Sequence, residues 1–298
     1  MAIVGPTASG KSDLAVRVAK LLYRQGYAGQ GEIISADSRQ VYKGLDIGTG
    51  KVMLKDNLYK GVRHHLIDVA SPKGQFSVDR YLKLGNKAIK EILKRGNTPI
   101  ICGGTGLYVD ALLYGANYPE VKPNKELRMK LEKESTEELY KKLEELDTER
   151  ASSIDRHNRR RLVRAIEIVT ALGKVPPLSE RKLIYPTLKI GVKIEMDELT
   201  KKIHKRLVTR VKQGLIKEVE DLHTGGLSWK RLEDLGLEYR WVAYFLHKKI
   251  ERKTMLENLE KDIVAYAKRQ MTWFKRDKEI NWIESYAQIV SLLATTNL

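Results

Sequence analysis

One octapeptide limits what this chain can be more than any other stretch. Gly5-Pro-Thr-Ala-Ser-Gly10-Lys11-Ser12 follows the apolar Met1-Ala-Ile-Val4 and runs into a segment where Leu14, Ala15, Val18, Leu21 and Leu22 recur at helical spacing. The pattern Gly-x4-Gly-Lys-Ser is that of a phosphate-binding loop, because glycines let successive backbone N–H groups converge on phosphate oxygens at a helix N-terminus. Gly5, Thr7, Ala8, Ser9, Gly10, Lys11 and Ser12 are therefore the expected phosphate cradle, Lys11 adding a charge and Ser12 a hydroxyl for Mg2+. The plainer reading is a glycine turn that only caps a helix. Its position between a strand and an amphipathic helix favours the phosphate site. A strand this short is expected to continue upstream of Met1.

The alternation continues. Glu32-Ile-Ile-Ser-Ala-Asp37, His65-Leu-Ile-Asp68 and Thr98-Pro-Ile-Ile-Cys102 read as strands, and apolar residues from Val78 to Leu93 recur as on a helix. Strand, turn and helix in repetition predict an α/β fold, a parallel P-loop sheet covered by helices on both faces, with ligands at the carboxyl ends of the strands. From Asn117 the texture changes to a Glu-, Lys- and Leu-rich run that closes near Pro176-Pro177. Residues 1–116 are thus the first part of the core, 117–182 a helical insertion domain, and 183–298 the mostly helical remainder, with helices near 199–222 and 253–275.

Charge narrows the partner. The 298 residues carry a formal net charge of +17, which favours a polyanion through counterion release. No apolar run approaches the ~20 residues of a bilayer span, so no membrane is expected. The single cysteine, Cys102, fits a reducing, cytoplasmic compartment and leaves no thiolate cluster for zinc.

An ordinary nucleotide hydrolase holds its metal with an acid at the end of a second buried strand, yet Pro99-Ile-Ile-Cys102 ends in Gly103-Gly-Thr105. The acid is instead Asp37, at the end of the strand after the phosphate-loop helix, where the topology aims it into the same crevice. There it could hold metal or act as a general base; its plain alternative is a turn or N-cap carboxylate. His64 and His65 are adjacent and point to opposite faces of a strand, so structural roles are expected. Trp229, Trp241, Trp273 and Trp282 are expected to pack.

Gly5 to Ser12, Ser35-Ala-Asp-Ser-Arg-Gln-Val-Tyr42, Asp46-Ile-Gly-Thr49, His64-His-Leu-Ile-Asp68 and Gly103-Gly-Thr-Gly-Leu-Tyr108 together resemble the tRNA dimethylallyltransferases, or tRNA isopentenyltransferases. Arg159-Arg-Arg-Leu-Val-Arg164, Gly236-Leu-Glu-Tyr-Arg240 and Ala267 to Arg276 are similar to later blocks of that family in the same order. The resemblance implies transfer of a dimethylallyl group from its diphosphate to N6 of adenosine at tRNA position 37. It implies Asp37 as base, Thr105 beside the reacting centre, Arg206 as a further cation on the diphosphate, and Mg2+ near Ser12. It also places Asp37, Ser38, Arg39, Gln40, Thr105, Arg128, Arg160, Arg161, Leu162, Val163, Arg164, Tyr239 and Arg240 against the tRNA anticodon stem-loop, with the protein a monomer. The acid-free basic run from Arg156 to Arg164 suits a phosphate grip, its bland alternative being a solvated helix face. Two departures accompany the likeness. Val208 stands where many relatives carry an acid, and the C-terminal zinc finger of eukaryotic relatives has no counterpart, so a bacterial type is expected. The competing readings are an adenylate isopentenyltransferase, a P-loop kinase or ATPase, and a non-catalytic RNA-binding protein.

Overall fold

A computed structural model describes residues 1–24, 29–115, 119, 121–176 and 182–295. Its strands are β1 (Ala2–Val4), β2 (Gly31–Ser35), β3 (Leu58–Tyr59), β4 (Val62–His65), β5 (Thr98–Gly103), β6 (Lys189–Val192) and β7 (Asn281–Ile283). Its helices are α1 (Lys11–Arg24), α2 (Val78–Lys94), α3 (Gly106–Tyr114), α4 (Lys125–Leu131), α5 (Thr136–Leu146), α6 (Thr148–Ser153), α7 (Arg159–Leu172), α8 (Met196–Lys212), α9 (Leu215–Thr224), α10 (Trp229–Leu235), α11 (Leu237–Leu246), α12 (Arg252–Phe274) and α13 (Tyr286–Thr295). The strands form one sheet in the order β3-β4-β2-β5-β1-β6-β7, parallel except for the β3–β4 hairpin.

Period-2 alternation assigns the strand side chains to two faces. Ile3, Ile33, Ile100, Cys102 and Ile190 pack under Ala15, Val18 and Leu22 of α1 and Ile289 and Leu293 of α13. Ala2, Val4, Ile34 and Ile101 belong to the opposite cluster, with Ile89 and Ile92 of α2, Leu112 of α3 and the apolar stripes of α8 to α12. Both faces are covered, as continuous apolar strands require. Three of the four tryptophans lie in or against this second cluster with their own partners: Trp229 stacks on His223 at 3.6 Å, Trp241 donates to Asp262 at 2.8 Å, and Trp273 donates to Asp110 at 3.1 Å. Trp282 packs there too, against Gly191.

Met1–Tyr114 together with Leu183–Leu298 form one compact unit, and Gly115–Lys182 a second. The second has its own core of Leu131, Leu139, Leu143, Leu162, Ala165, Ile166 and Val169. Its α5 opens on a reciprocal capping box of Ser135 and Glu138, and α7 runs from the Asn158 cap to Gly173, whose left-handed φ of 81° ends it.

One expectation needs correction. The strand read at His65–Asp68 lies earlier, at Val62–His65, because Leu66 and Asp68 take φ of 62° and 57° and leave the sheet. The region after 183 is mostly helical, as expected, and adds β6 and β7, which extend the sheet beside β1 and are too short to stand out among charged neighbours.

Strand β4 is locked to β2 by a buried carboxylate. Glu32 accepts from His65 Nε2 at 2.6 Å, Arg95 Nε and Nη2 at 3.0 and 2.8 Å, and Asn97 Nδ2 at 2.6 Å. Burial alone would raise its pKa, but the bonds from Arg95, Asn97 and His65 outweigh it and hold the group at about 2, against an ordinary 4.5. A depressed carboxyl contributes stability above its ordinary value and loses it as pH falls through the folded one. Glu32→Gln is therefore expected to lower stability at neutral pH by roughly 3 kcal/mol. It should also flatten the acid decline of the unfolding midpoint between pH 4.5 and 2. Parallel midpoint curves for the two proteins would show that this cluster is not an acid-labile tie.

Candidate active site

Register brings three loops to one edge. Val4 pairs with Gly103 and Ser35 with Cys102, so the turns after β1, β5 and β2 leave the sheet at the same level. The loop after β1 bends through Ala8 (φ 63°) and Gly10 (φ 86°) into α1, and Lys11 Nζ donates to the Pro6 carbonyl at 3.1 Å. Buried Gln270 of α12 ties this loop to the turn after β5: its Oε1 accepts from Thr7 N at 2.8 Å and its Nε2 donates to Gly104 O at 2.9 Å. That turn is glycine-rich for want of space. A Cβ at Gly103 would lie 2.2 Å from Ala36 O, at Gly104 2.2 Å from Gln270 Nε2, and at Gly106 2.2 Å from Trp273 Cδ1.

Two cavities meet here. One of about 510 Å3 is lined by Gly10, Lys11, Ser12, Asp37, Gly50 and Arg206, among others. The other, about 250 Å3, is lined by Asp37, Arg39, Arg210, Glu238, Tyr266 and Arg269, among others. Thr7, Asp37 and Thr49 border both. A separate apolar cavity of about 380 Å3, near Leu22, Ile89, Pro99 and Leu112 at the amino ends of β1 and β5, has none of these charged groups in its wall.

Asp37 has one oxygen for structure and one to spare. Its Oδ1 accepts from Arg39 N at 2.8 Å and Gln40 N at 3.3 Å, closing the turn after β2. Among the described residues Oδ2 has no partner. Thr105 Oγ1 accepts from Ser38 N at 3.0 Å and donates to Ser38 Oγ at 3.4 Å, while burial and then the Asp37 charge push the pKa of Tyr266 up to about 12. Gln40 accepts from Ser35 Oγ at 3.3 Å and donates to Thr49 O at 3.4 Å.

The larger cavity carries positive charge short of a counter-ion. Burial lowers the pKa of Lys11, against the opposing fields of Cys102 and Asp37. Burial, then the neighbouring Arg210, lower that of Arg206 to about 10. Arg206 stays cationic at neutral pH, and no described residue hydrogen-bonds its guanidinium. The buried hydroxyl of Ser9 has no partner either. Cys102, at the cavity wall, is pushed up to about 11 by burial and stays a thiol rather than a nucleophile.

Sequence reasoning missed the residues that hold the far wall. Glu218 of α9 accepts from Asp46 N (3.0 Å), Ile47 N (2.6 Å), Gly48 N (3.0 Å) and Tyr239 Oη (2.9 Å). Lys51 donates to Tyr42 O, Asp46 and Asp68 at 2.9, 2.7 and 2.6 Å. The loop bearing Thr49 and Gly50 is thus fixed from two sides. The Asp46-Ile-Gly-Thr49 block signalled the loop, but nothing signalled its partner on a helix 170 residues away.

The IPP transferase family model matches residues 40–277. The chain is 40% identical over 291 residues to tRNA dimethylallyltransferase 2 of Trichlorobacter lovleyi, covering 95% of this chain and 91% of that one. It is 43% identical over 289 residues to tRNA dimethylallyltransferase 1 of Syntrophus aciditrophicus, covering 95% and 92%. The chain belongs to the IPP transferase family. Among solved structures it is similar to the full-length tRNA isopentenylpyrophosphate transferase of Bacillus halodurans, with a TM-score of 0.71 and 33% identity over 98% of this chain and 94% of that one. A eukaryotic dimethylallyltransferase acting on tRNA shares the fold at a TM-score of 0.78 and 23% identity, covering 99% and 75%.

In this IPP transferase the residues expected to meet RNA fall into distinct groups. Ser38, Arg39 and Arg240 line the smaller cavity, while Gln40 lines the larger. Tyr239 borders the smaller cavity too, but it is buried and its hydroxyl is taken by Glu218. In the second unit Arg160 and Arg161 are exposed at the start of α7. Leu162 is not on the surface: it is fully buried in that unit's core because the apolar stripe of α7 turns inward there, a correction to its expected contact. Val163 is partly buried beside it. Arg128 and Arg164 are both held by fully buried Glu167, at 2.7 and 3.3 Å, and Arg159 donates to the Leu131 carbonyl at 2.7 Å. Val208 is 40% exposed on α8, away from the cavity that takes Arg206.

Glu218→Ala removes the acceptor for three backbone N–H groups and one hydroxyl, and is expected to cost about 2 kcal/mol. A urea-unfolding midpoint equal to that of the parent would show that the loop does not depend on this carboxylate.

Proposed function

We propose that the protein transfers a dimethylallyl group from dimethylallyl diphosphate to N6 of the adenosine at position 37 of tRNA, releasing diphosphate. One observation carries the reading: Asp37 stands in the wall shared by a cationic chamber and a chamber lined by Tyr266, Leu235 and Leu237. The names of the curated relatives, tRNA dimethylallyltransferases at about 40% identity over nearly the whole chain, support it.

In this reading the phosphate loop, Lys11 and Arg206 receive the diphosphate, and the adenine, taken out of the anticodon-loop stack, enters the smaller chamber. The N6 lone pair attacks C1 of the allyl group as the C1–O bond breaks, its electron pair leaving on the diphosphate. The N6 proton passes to Asp37 Oδ2, which is needed because that lone pair is delocalised into the purine. Backbone N–H groups and the two cations stabilise the charge that develops on the leaving group. Thr105, held by Ser38 N in the turn that follows Asp37, is assigned a place beside the reacting centre.

Mg2+ fits as a partner of the substrate more than of the protein. Among the described residues no cluster of three or more His, Cys, Asp or Glu could hold a metal. Ser12, beside Lys11, offers one hard oxygen, and Mg2+ typically takes its remaining ligands from phosphate and water. Bound there, it supplies charge to the diphosphate oxygens. The exposed Arg160 and Arg161 and the Glu167-held Arg128 and Arg164 are proposed to meet the phosphates of the tRNA anticodon stem-loop. We place the reaction in the cytoplasm, with the protein a monomer.

Incubation with labelled dimethylallyl diphosphate, Mg2+ and either unmodified tRNA or AMP tests the acceptor. Label is expected in tRNA. Label in AMP alone, or ATP hydrolysis without prenyl transfer, would overturn the reading. Asp37→Ala should lower turnover by about 10²–10⁴-fold with tRNA affinity retained, and unchanged turnover would remove Asp37 as the base. Arg160→Ala with Arg161→Ala should weaken tRNA binding and reduce the slope of log affinity against log salt. An identical slope would mean these arginines do not face phosphate.

A further inference from the structure

Arg210 has no part in the mechanism above, yet it is tied more tightly than Arg206. It lies one helical turn further along α8, where i and i+4 side chains share a face. Its Nη1 donates to Glu238 Oε1 at 2.8 Å and to the Gly48 carbonyl at 2.9 Å, and both partners of the ion pair are about nine-tenths buried. Nη2 has no acceptor among the described residues. Its position is marked by Gly50: a Cβ built there would lie 2.1 Å from Arg210 Nη2 and 2.8 Å from Arg206 Nη2. The two guanidinium tips therefore converge on one glycine, which has φ of 60° and lines the cationic chamber, while Arg210 itself stands in the wall of the adjoining smaller chamber.

Two like charges brought this close in a half-buried place are unfavourable unless a third charge compensates them. Glu238 compensates one. Buried and beside Arg210, it is the carboxylate that anchors the pair, and burial raises its pKa despite the Arg210 field. Arg206 and Lys11 remain, with Asp37 as the facing negative group. An incoming diphosphate supplies the missing negative charge.

We propose that Arg210 is a second guanidinium facing the diphosphate, locked in place by Glu238 and the Gly48 carbonyl so that its free Nη2 edge and that of Arg206 act on the same leaving group. Gly50 lacks a side chain because one would separate them. The assignment rests on the diphosphate reading of the chamber and adds the residue that sets how strongly the anion is held.

Calorimetric titration of the full chain with inorganic diphosphate, with and without Mg2+, tests it on Arg210→Met, Arg210→Lys and Glu238→Gln, alongside steady-state kinetics. Arg210→Met is expected to weaken diphosphate binding about tenfold or more and to raise KM for dimethylallyl diphosphate, with KM for tRNA unchanged. Arg210→Lys should recover part of the loss. Glu238→Gln keeps the cation and removes a facing negative charge, so it should bind diphosphate at least as tightly as the parent. The proposal is overturned if Arg210→Met stays within twofold of the parent, or if Glu238→Gln loses as much as Arg210→Met, which would make the pair a strut. It is also overturned if only KM for tRNA rises, which would assign Arg210 to RNA. Should Arg210→Met not fold, Glu238→Gln binding more weakly than Arg210→Lys overturns it. A parent chain that does not bind diphosphate removes the diphosphate reading itself, and this proposal with it.

Discussion

The parallel pairing of β5 between β1 and β2 is the constraint on which the rest depends. Hydrogen bonding of Val4 opposite Gly103, and of Ser35 opposite Cys102, leaves the phosphate loop, the glycine turn and the Asp37 turn no choice of height. They must emerge side by side. Nothing about a Gly-x4-Gly-Lys-Ser loop requires a carboxylate near it, and here one arrives because the sheet, not the loop, sets its position. Gln270 then fastens the loop to the glycine turn with both ends of one amide, so small shifts of either are resisted by two hydrogen bonds in a buried setting.

Around that frame the charges are arranged unequally. Carboxylates elsewhere are fully used: buried Glu32 by three neighbouring side chains, buried Glu167 by two arginines, and half-buried Glu218 by three N–H groups and a hydroxyl. In the larger cavity the pattern reverses, with the Arg206 guanidinium left without a hydrogen-bond partner among the described residues. A protein that satisfies its polar groups so thoroughly in one place and leaves donors over in another is built to receive acceptors there. The diphosphate proposed above is an acceptor-only anion, the kind of group that such donors would receive.

The legible part of the site was local in sequence. The loop 5–12, Asp37 and Gly103–Thr105 each lie at a strand end, so an alternating pattern of apolar runs and turns was enough to place them on one edge. The supporting residues were not legible, for a physical reason. Glu218, Arg210, Glu238 and Gln270 sit on amphipathic helices rich in charge, where one more Glu or Arg has no signature, and their partners lie 21 to 263 positions away. Leu162 and Tyr239 show the converse. They fall inside blocks that read as RNA contacts, but an apolar or aromatic side chain in such a block can as easily serve the core, and the periodicity of α7 and α11 puts these two there.

The arginines of the second unit divide along the same line. Arg159 completes the end of α4 and its following turn by donating to backbone carbonyls, a duty any fold imposes on some long cation. Arg128 and Arg164 share Glu167, and each keeps about a third of its side chain exposed. A guanidinium fixed through one edge loses less rotamer entropy when its other edge meets a phosphate. Arg160 and Arg161 are free, so they bring charge but must be ordered on binding. In the proposed tRNA reading, held and free arginines would serve different ends: the held pair would set where a phosphate sits, and the free pair would contribute mainly to how fast and how strongly a polyanion is drawn in. The same division operates at the catalytic edge, where Arg210 is tethered by Glu238 and Arg206 is not, so the chain uses one device twice, a buried glutamate that costs desolvation in order to aim an arginine.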